Sequence, residues 1–266
     1  MRENRRPDQL RPLSFERDFI GQAPGRVLVR MGRTAVLCSC SIEASVPEFL
    51  VGTGKGWLTA EYAMLPGSTA SRKARDRLGK VDGRSVEIQR LIGRALRAVV
   101  NLDALGEQTV WLDCDVLEAD GGTRTAAING AFVALVDALT RKADCLPPIG
   151  RLLRDSVAAV SVGVVEGVEL LDLDYREDRD AAVDFNVIMT GRGQFVEVQG
   201  TGEEATFTRE QLSRLLDLAT QGIGEITQRQ RQALALDGDI PECWGPPEAS
   251  QTGPASAAAE AAEAAG

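Results

Sequence analysis

Two hydrophobic periods follow one another along this chain, and their order constrains the fold more than any other feature. Val27–Val29 and Thr34–Ile42 have strand character and are separated by the turn sequence Met31-Gly32-Arg33. Trp57–Met64 is a further strand, entered through the glycine-rich run Val51-Gly52-Thr53-Gly54-Lys55-Gly56. The period then changes. Ile88, Leu91, Ile92, Ala95, Leu96 and Val99 fall on one face of a helix predicted over Arg84–Val100, with Arg90, Arg94 and Arg97 on the opposite side. Thr109–Leu117 returns to alternation. Thr125–Leu139, rich in Ala, Val and Leu, reads as a second and central helix. Two hairpins follow: Ser156–Val164 with Glu169–Leu173 around Glu166-Gly167, then Val183–Met189 with Phe195–Gln199 around Gly191-Arg192-Gly193. A last helix is expected from about Arg209 to Leu236, with Thr208 as its cap and Gln211 three residues later. Strands interrupted by two helices, then strands, then a helix indicate an α/β or α+β domain. A single domain is expected over residues 1–240. Residues 241–266 are rich in Ala, Pro and Glu, have no core-forming residues, and are expected to be a disordered tail.

Chemistry is narrowed by an absence: the chain contains no histidine. Ser-His-Asp and Cys-His catalysis and histidine metal sites are therefore excluded. Carboxylates, Lys and Arg, backbone amides and a hard metal ion are left. The five cysteines are scattered, and Cys38-x-Cys40 is too tight for the usual zinc spacing, so most are expected to be buried thiols. No apolar run reaches membrane-spanning length, and the polar, basic start MRENRRPDQLRPL has no apolar middle, which predicts a cytoplasmic protein and no membrane partner.

The net charge of −9 argues against a polyanion partner until its distribution is considered. Between Arg72 and Arg97 there are nine basic residues against Asp76, Asp82 and Glu87, a local net of +6. Part of this excess lies in Pro66–Asp82, a polar stretch without an apolar period that reads as a loop. Such a segment in an acidic chain suits a site for polyanions.

Three places could carry reaction chemistry. Asp120-Gly121-Gly122-Thr123-Arg124-Thr125 lies between a strand and a helix, where a glycine pair exposes free N–H groups to an oxyanion. Thr123 adds a hydroxyl and Arg124 a forked cation. The same pattern also suits an ordinary glycine turn capped by Thr. Arg84, at the start of the arginine-bearing helix, focuses positive potential. Arg90, Arg94 and Arg97 suit a solvated or subunit-contacting surface. Finally, six acids lie between Asp172 and Asn186. In a strand starting near Val183, Asp184 and Asn186 share a face, and Asp178 lies at its mouth. These residues could hold Mg²⁺ or Mn²⁺, one carboxyl could act as a general acid, or the run could be a solvated turn. Gly200–Phe207 reads as a tight turn into the last helix, without a catalytic part.

Taken in order, LRPLSFERDFI, GKGWLTAEYAMLP, GRSVEIQRLIGRALRAVV, LDCDVLEADGGTRTAAINGAF, DLDYREDRDAAVDFNVIMTG and FVEVQGTGEEATF resemble the ribonuclease PH family of phosphate-dependent exoribonucleases. The resemblance spans nearly everything from Arg11 to about Leu236. It implies an α+β fold like the second domain of ribosomal protein S5, assembled as a hexamer, a trimer of dimers. It implies inorganic phosphate bound by Arg84, Gly122, Thr123 and Arg124. It makes Asp178 and Asp184 the catalytic pair associated with Mg²⁺ or Mn²⁺, and Arg72, Lys73, Arg75 and Arg77 a guide for RNA. The implied substrates are 3′ ends of tRNA precursors and other RNA such as rRNA, with nucleoside diphosphates as products. None of these positions departs from the family pattern. A non-catalytic relative would tend to lack the carboxylates or the phosphate arginine. A hydrolytic nuclease would need no phosphate cradle, and a polynucleotide phosphorylase carries two such domains in a much longer chain.

Overall fold

The computed structural model describes residue 2 and residues 5–75, 82–203 and 205–234. Arg77, Cys243 and the expected tail over 241–266 lie outside the described residues. The fold is α+β, with two sheets flanking one buried helix. The first sheet contains β1 (Leu13–Arg17), β2 (Gly25–Met31), β3 (Thr34–Glu43), β4 (Trp57–Met64) and β5 (Thr109–Glu118), in the order β1-β2-β3-β5-β4. Its neighbours are antiparallel except β4 and β5, which run parallel. A parallel pair requires a crossover; α1 (Gly83–Arg97) and the short α2 (Leu102–Leu105) provide it.

After β5 the chain enters α3 (Thr123–Arg141), then a single turn, α4 (Ile149–Leu152). The second sheet holds β6 (Val157–Val165), β7 (Val168–Leu171), β8 (Val183–Thr190) and β9 (Phe195–Gly202), all antiparallel, in the order β7-β6-β8-β9. Between β7 and β8 lies α5 (Tyr175–Arg179), and α6 (Arg209–Ala233) closes the described chain.

α3 is the centre expected from its composition. Every residue from Thr125 to Leu139 is buried, because the helix packs on β2 and β3 of one sheet and on β6 of the other. A helix with no polar face can exist only in such a position. β6 carries Val and Ala on both faces for the same reason: α3 and α6 both pack against it. Val29, Cys38, Phe132, Leu135, Val160 and Val187 belong to one continuous apolar core that crosses both sheets. Cys38, Cys40 and Cys114 are buried in it as free thiols, whereas Cys145 is exposed.

α1 buries the expected face, Ile88, Leu91, Ile92, Ala95 and Leu96. Two of its three distal arginines fasten it to strands. Arg94 donates to Glu197 on β9 at 2.9 Å, and Arg97 donates to the Leu58 carbonyl at 2.8 Å while its guanidinium lies 5.0 Å from the Trp57 ring centre. Arg90 is exposed. The capping box expected at Thr208 and Gln211 is present. The short helices α2 and α4 were not expected, and two larger elements also differ from the sequence reading. β1 was not expected, and α5 forms where the acidic run suggested an irregular strand mouth, closed by its own capping box between Asp174 and Glu177.

Candidate active site

Where β5 passes into α3, Gly121 and Gly122 have φ of +77° and +62°, a region costly for residues with a side chain. The space is as restrictive as the torsion. A Cβ on Gly121 would lie 2.5 Å from the Asp174 backbone of the second sheet's side. The glycine pair thus lets the chain turn into α3 while passing directly beside the segment that leads into α5.

The first turn of α3 leaves the N–H groups of Thr123, Arg124 and Thr125 without helical acceptors, at the positive end of a long dipole. Tyr62 on β4 donates its hydroxyl proton to Thr123 Oγ1 at 2.8 Å. That leaves the Thr123 proton free to donate elsewhere. Burial pushes the Tyr62 phenol up, which keeps it a neutral donor. Arg124 donates to Gln199 Oε1 at 2.8 Å and lies 3.6 Å from Glu87 Oε1, and Gln199 donates to that same Glu87 oxygen at 2.9 Å.

Opposite stands an acidic wall. β8 pairs Asp184 with Gly163 and Thr201, and Asn186 with Ser161 and Gln199, so the two polar side chains face one way. α5 brings Asp178 beside them. Asp184 Oδ1 is buried with no hydrogen-bond partner. Burial first, then repulsion from Asp178, pushes the Asp184 carboxyl up to about 6, against the pull of Arg124. Asp178 is also raised by burial, with Arg84 and Arg124 opposing and Glu203 adding to the rise. Two carboxyls raised side by side, within reach of arginines, mark a site poised for proton or cation binding.

Cradle and wall line one cavity of about 300 Å³. All six residues expected to bind phosphate or catalyse meet there: Arg84, Gly122, Thr123, Arg124, Asp178 and Asp184. The sequence reading missed Glu87, Ser161 and Gln199. It also misjudged the segment after Gln199. Gly200, Thr201 and Glu203 line the cavity, and the strand runs on to Gly202, so this is site wall and not only a turn. The spacing Arg84-x-x-Glu87 on a helix would have placed Glu87 on the face of Arg84. Arg72 and Arg75 are outside the cavity, beside a separate depression with Leu65, Pro66 and Leu117. Lys73 is paired with Asp82 at 3.1 Å.

Among known proteins, a family model described as 3′ exoribonuclease family, domain 1, matches residues 9–140, and one for domain 2 of that family matches residues 155–222. Each match encloses one of the two sheets. The chain is 56% identical over 232 residues to a Ribonuclease PH of Rhodopirellula baltica, covering 85% of this chain and 94% of that one. It is 54% identical over 235 residues to Ribonuclease PH of Bacillus subtilis, covering 87% and 96%. Its fold matches a subunit of the Archaeoglobus fulgidus exosome, solved with RNA bound to the active site, at a TM-score of 0.70 and 19% identity, over 85% of this chain and 93% of that one. With both domains matched in order, and relatives aligned over nearly their whole length, the chain belongs to the 3′ exoribonuclease family.

Proposed function

We propose that this chain shortens RNA from the 3′ end by phosphorolysis, with inorganic phosphate as the attacking group. The observation that carries the reading is a cradle of cations and amide donors facing raised carboxyls across one cavity. Phosphate is held by Arg84, Arg124, the Thr123 hydroxyl and the free N–H groups of the α3 first turn. One of its oxygens forms a bond to the last phosphorus of the RNA. The bond from that phosphorus to the 3′-oxygen of the penultimate nucleotide breaks, and this oxygen takes up a proton. The terminal residue leaves as a nucleoside diphosphate. Charge develops on the phosphoryl oxygens, where the fixed arginines and N–H groups stabilise it without reorganising. One phosphate linkage replaces another, so the reaction also runs backwards, adding nucleotides from diphosphates.

Asp178 and Asp184 fit a hard divalent ion, Mg²⁺ or Mn²⁺. Asp184 Oδ1 is buried without a donor, and the two carboxylates repel until a cation or proton lies between them. Among the described residues no three acidic, His or Cys side chains form a fuller ligand set. This suits Mg²⁺, which binds through one or two carboxylates and completes its shell with phosphate oxygens and water. When bound, the ion would supply positive charge that stabilises the charge developing in the transfer. In the alternative reading one of the two carboxyls, with Asp184 favoured by its raised pKa, would serve as general acid.

The substrates we infer are tRNA precursor 3′ ends and other RNA in the cytoplasm, with Arg72, Lys73, Arg75 and Arg77 guiding the strand. No helix among the described residues is long and apolar enough to cross a membrane. We infer a homohexamer, for which the edge strand β9, exposing Phe195 and Val198, offers one contact surface. Product analysis tests the reaction: purified protein should release nucleoside diphosphates from RNA only when phosphate is supplied. Release of monophosphates without phosphate would identify a hydrolase and overturn the reading.

A further inference from the structure

The cradle belongs to one matched domain and the carboxylates to the other, so something must fix one against the other. The N-terminal segment is placed to do so. Arg11 is buried between the two walls, and its partner Asp172 is fully enclosed. Toward the acidic side, Arg11 donates its backbone N–H and Nε to Asp172 Oδ2 at 2.8 and 3.0 Å, and Nη2 to Oδ1 at 2.7 Å. Toward the cradle, Nη1 donates to the Asp120 carbonyl at 2.5 Å and reaches the Gly121 carbonyl at 3.5 Å. A single guanidinium therefore holds the carbonyls just before Gly122 and the carboxylate six residues before Asp178.

Two further arginines grip α5. Arg2 and Arg5 both donate to the Glu177 carboxylate, which is the side chain next to Asp178, and Arg5 also holds the Asp172 carbonyl at 2.8 Å. Both residues precede the segment matched by the first family model. Asp172 itself has φ of +56°, a strained state for a residue with a side chain, which persists only when its surroundings hold it. Buried ion pairs add little net stability compared with apolar packing, so an enclosed network of this size argues for fixing geometry.

We propose that Arg11, with Arg2 and Arg5, is a positioning clamp that sets the phosphate cradle against Asp178. Arg11 acts on both walls, whereas Arg2 and Arg5 act on the acidic side alone, through Glu177 of α5 and the carbonyls of Leu171 and Asp172. The inference rests on the phosphorolytic reading for its kinetic part. Its binding part, phosphate affinity, stands without turnover.

The test compares Arg11→Lys, Glu177→Gln and the double variant Arg2→Ala/Arg5→Ala. Each is checked for fold by circular dichroism and for assembly by gel filtration. Substitutions of groups that orient a site from behind it cost about 10- to 100-fold. Arg11→Lys should therefore lower kcat by about that factor and weaken phosphate binding by calorimetry at least about fivefold. The double variant and Glu177→Gln should lower kcat by about tenfold with phosphate affinity unchanged, because they touch only the acidic wall.

A folded set of variants with wild-type phosphate affinity and turnover overturns the clamp. So does a loss of turnover that follows thermal stability alone, without the split between kcat and phosphate affinity. If Arg11→Lys does not fold, the double variant and Glu177→Gln decide on kcat at saturating phosphate. A wild-type protein that makes no diphosphates overturns the proposed function instead, and the phosphate calorimetry still decides the clamp.

Discussion

The two walls of the cavity are built on opposite principles. The cradle is a backbone device. Its glycine turn, its free N–H groups and Arg124 are held in place by the buried helix α3, Arg84 comes from the start of α1, and the side chains of Thr123 and Arg124 have their partners in Tyr62 and Gln199. The acidic wall is a side-chain device with its needs unmet. Asp184 leaves one oxygen without a partner, and both carboxyls are raised from their ordinary values. In one wall the side chains are already positioned and free N–H groups await an anion; in the other a buried carboxyl oxygen gains its partner only when a proton or cation arrives. The contrast teaches where each kind of substitution should act: on anion affinity for the first wall, on pH and metal dependence for the second.

The largest break in this contrast should come from Arg124→Ala. Removing one preorganised donor to a transition-state charge costs about 10²–10³-fold in rate. Turnover should fall by at least that factor, while RNA binding measured without phosphate changes less than about threefold. An equal loss of RNA binding would mean that Arg124 serves the polymer and not the attacking phosphate.

The pH and metal dependence should sharpen the acidic side. A proton and a divalent ion compete for Asp184, whose carboxyl is pushed up to about 6. If the ion is the working partner, activity rises with pH through about 6, and added Mg²⁺ moves that rise to lower pH. A fall in activity above that pH, insensitive to Mg²⁺, would make Asp184 the general acid.

Tyr62→Phe is a milder change on the cradle side. It removes one buried hydrogen bond, worth about 1 kcal/mol, and should weaken phosphate affinity by about fivefold without moving the pH profile. A shifted profile would blur the division between the walls.

The smallest effect is on stability. A carboxyl raised on folding binds its proton more tightly in the native state, so stability is lost as pH rises from 3.8 through about 6. Asp184→Asn should therefore raise Tm by about 3 °C at pH 8, and the gain should vanish by about pH 4. An unchanged Tm at both pH values would show that the wall carries no such cost.

The same division explains what could be read in the sequence. Trp57–Met64, the helix before Val100 and both late hairpins follow from local periods, and the structure reproduces them to within a few residues. The Gly-Gly-Thr-Arg turn was legible because backbone conformation and helix start are local properties. Asp178, Asp184 and Asn186 were legible as a cluster at one strand face, but not their burial, which depends on β6, β9 and α5 meeting. Gln199 and Glu203 were missed because only the pairing of β8 with β9 brings them to Asn186 and Asp184. α5 was missed in an all-polar run, although Asp174 and Glu177 carried a capping-box spacing that could have signalled it.

α3 is enclosed from Thr125 to Leu139, so the turn proposed to hold phosphate is rooted in a tightly packed part of the molecule. Like any catalyst, such a site cannot move the balance of a reversible transfer; its rigidity fixes only the geometry in which both directions pass. It lowers the barrier for both directions alike. Whether RNA shortens or grows is then decided outside the protein, by the ratio of inorganic phosphate to nucleoside diphosphate in the surrounding solution.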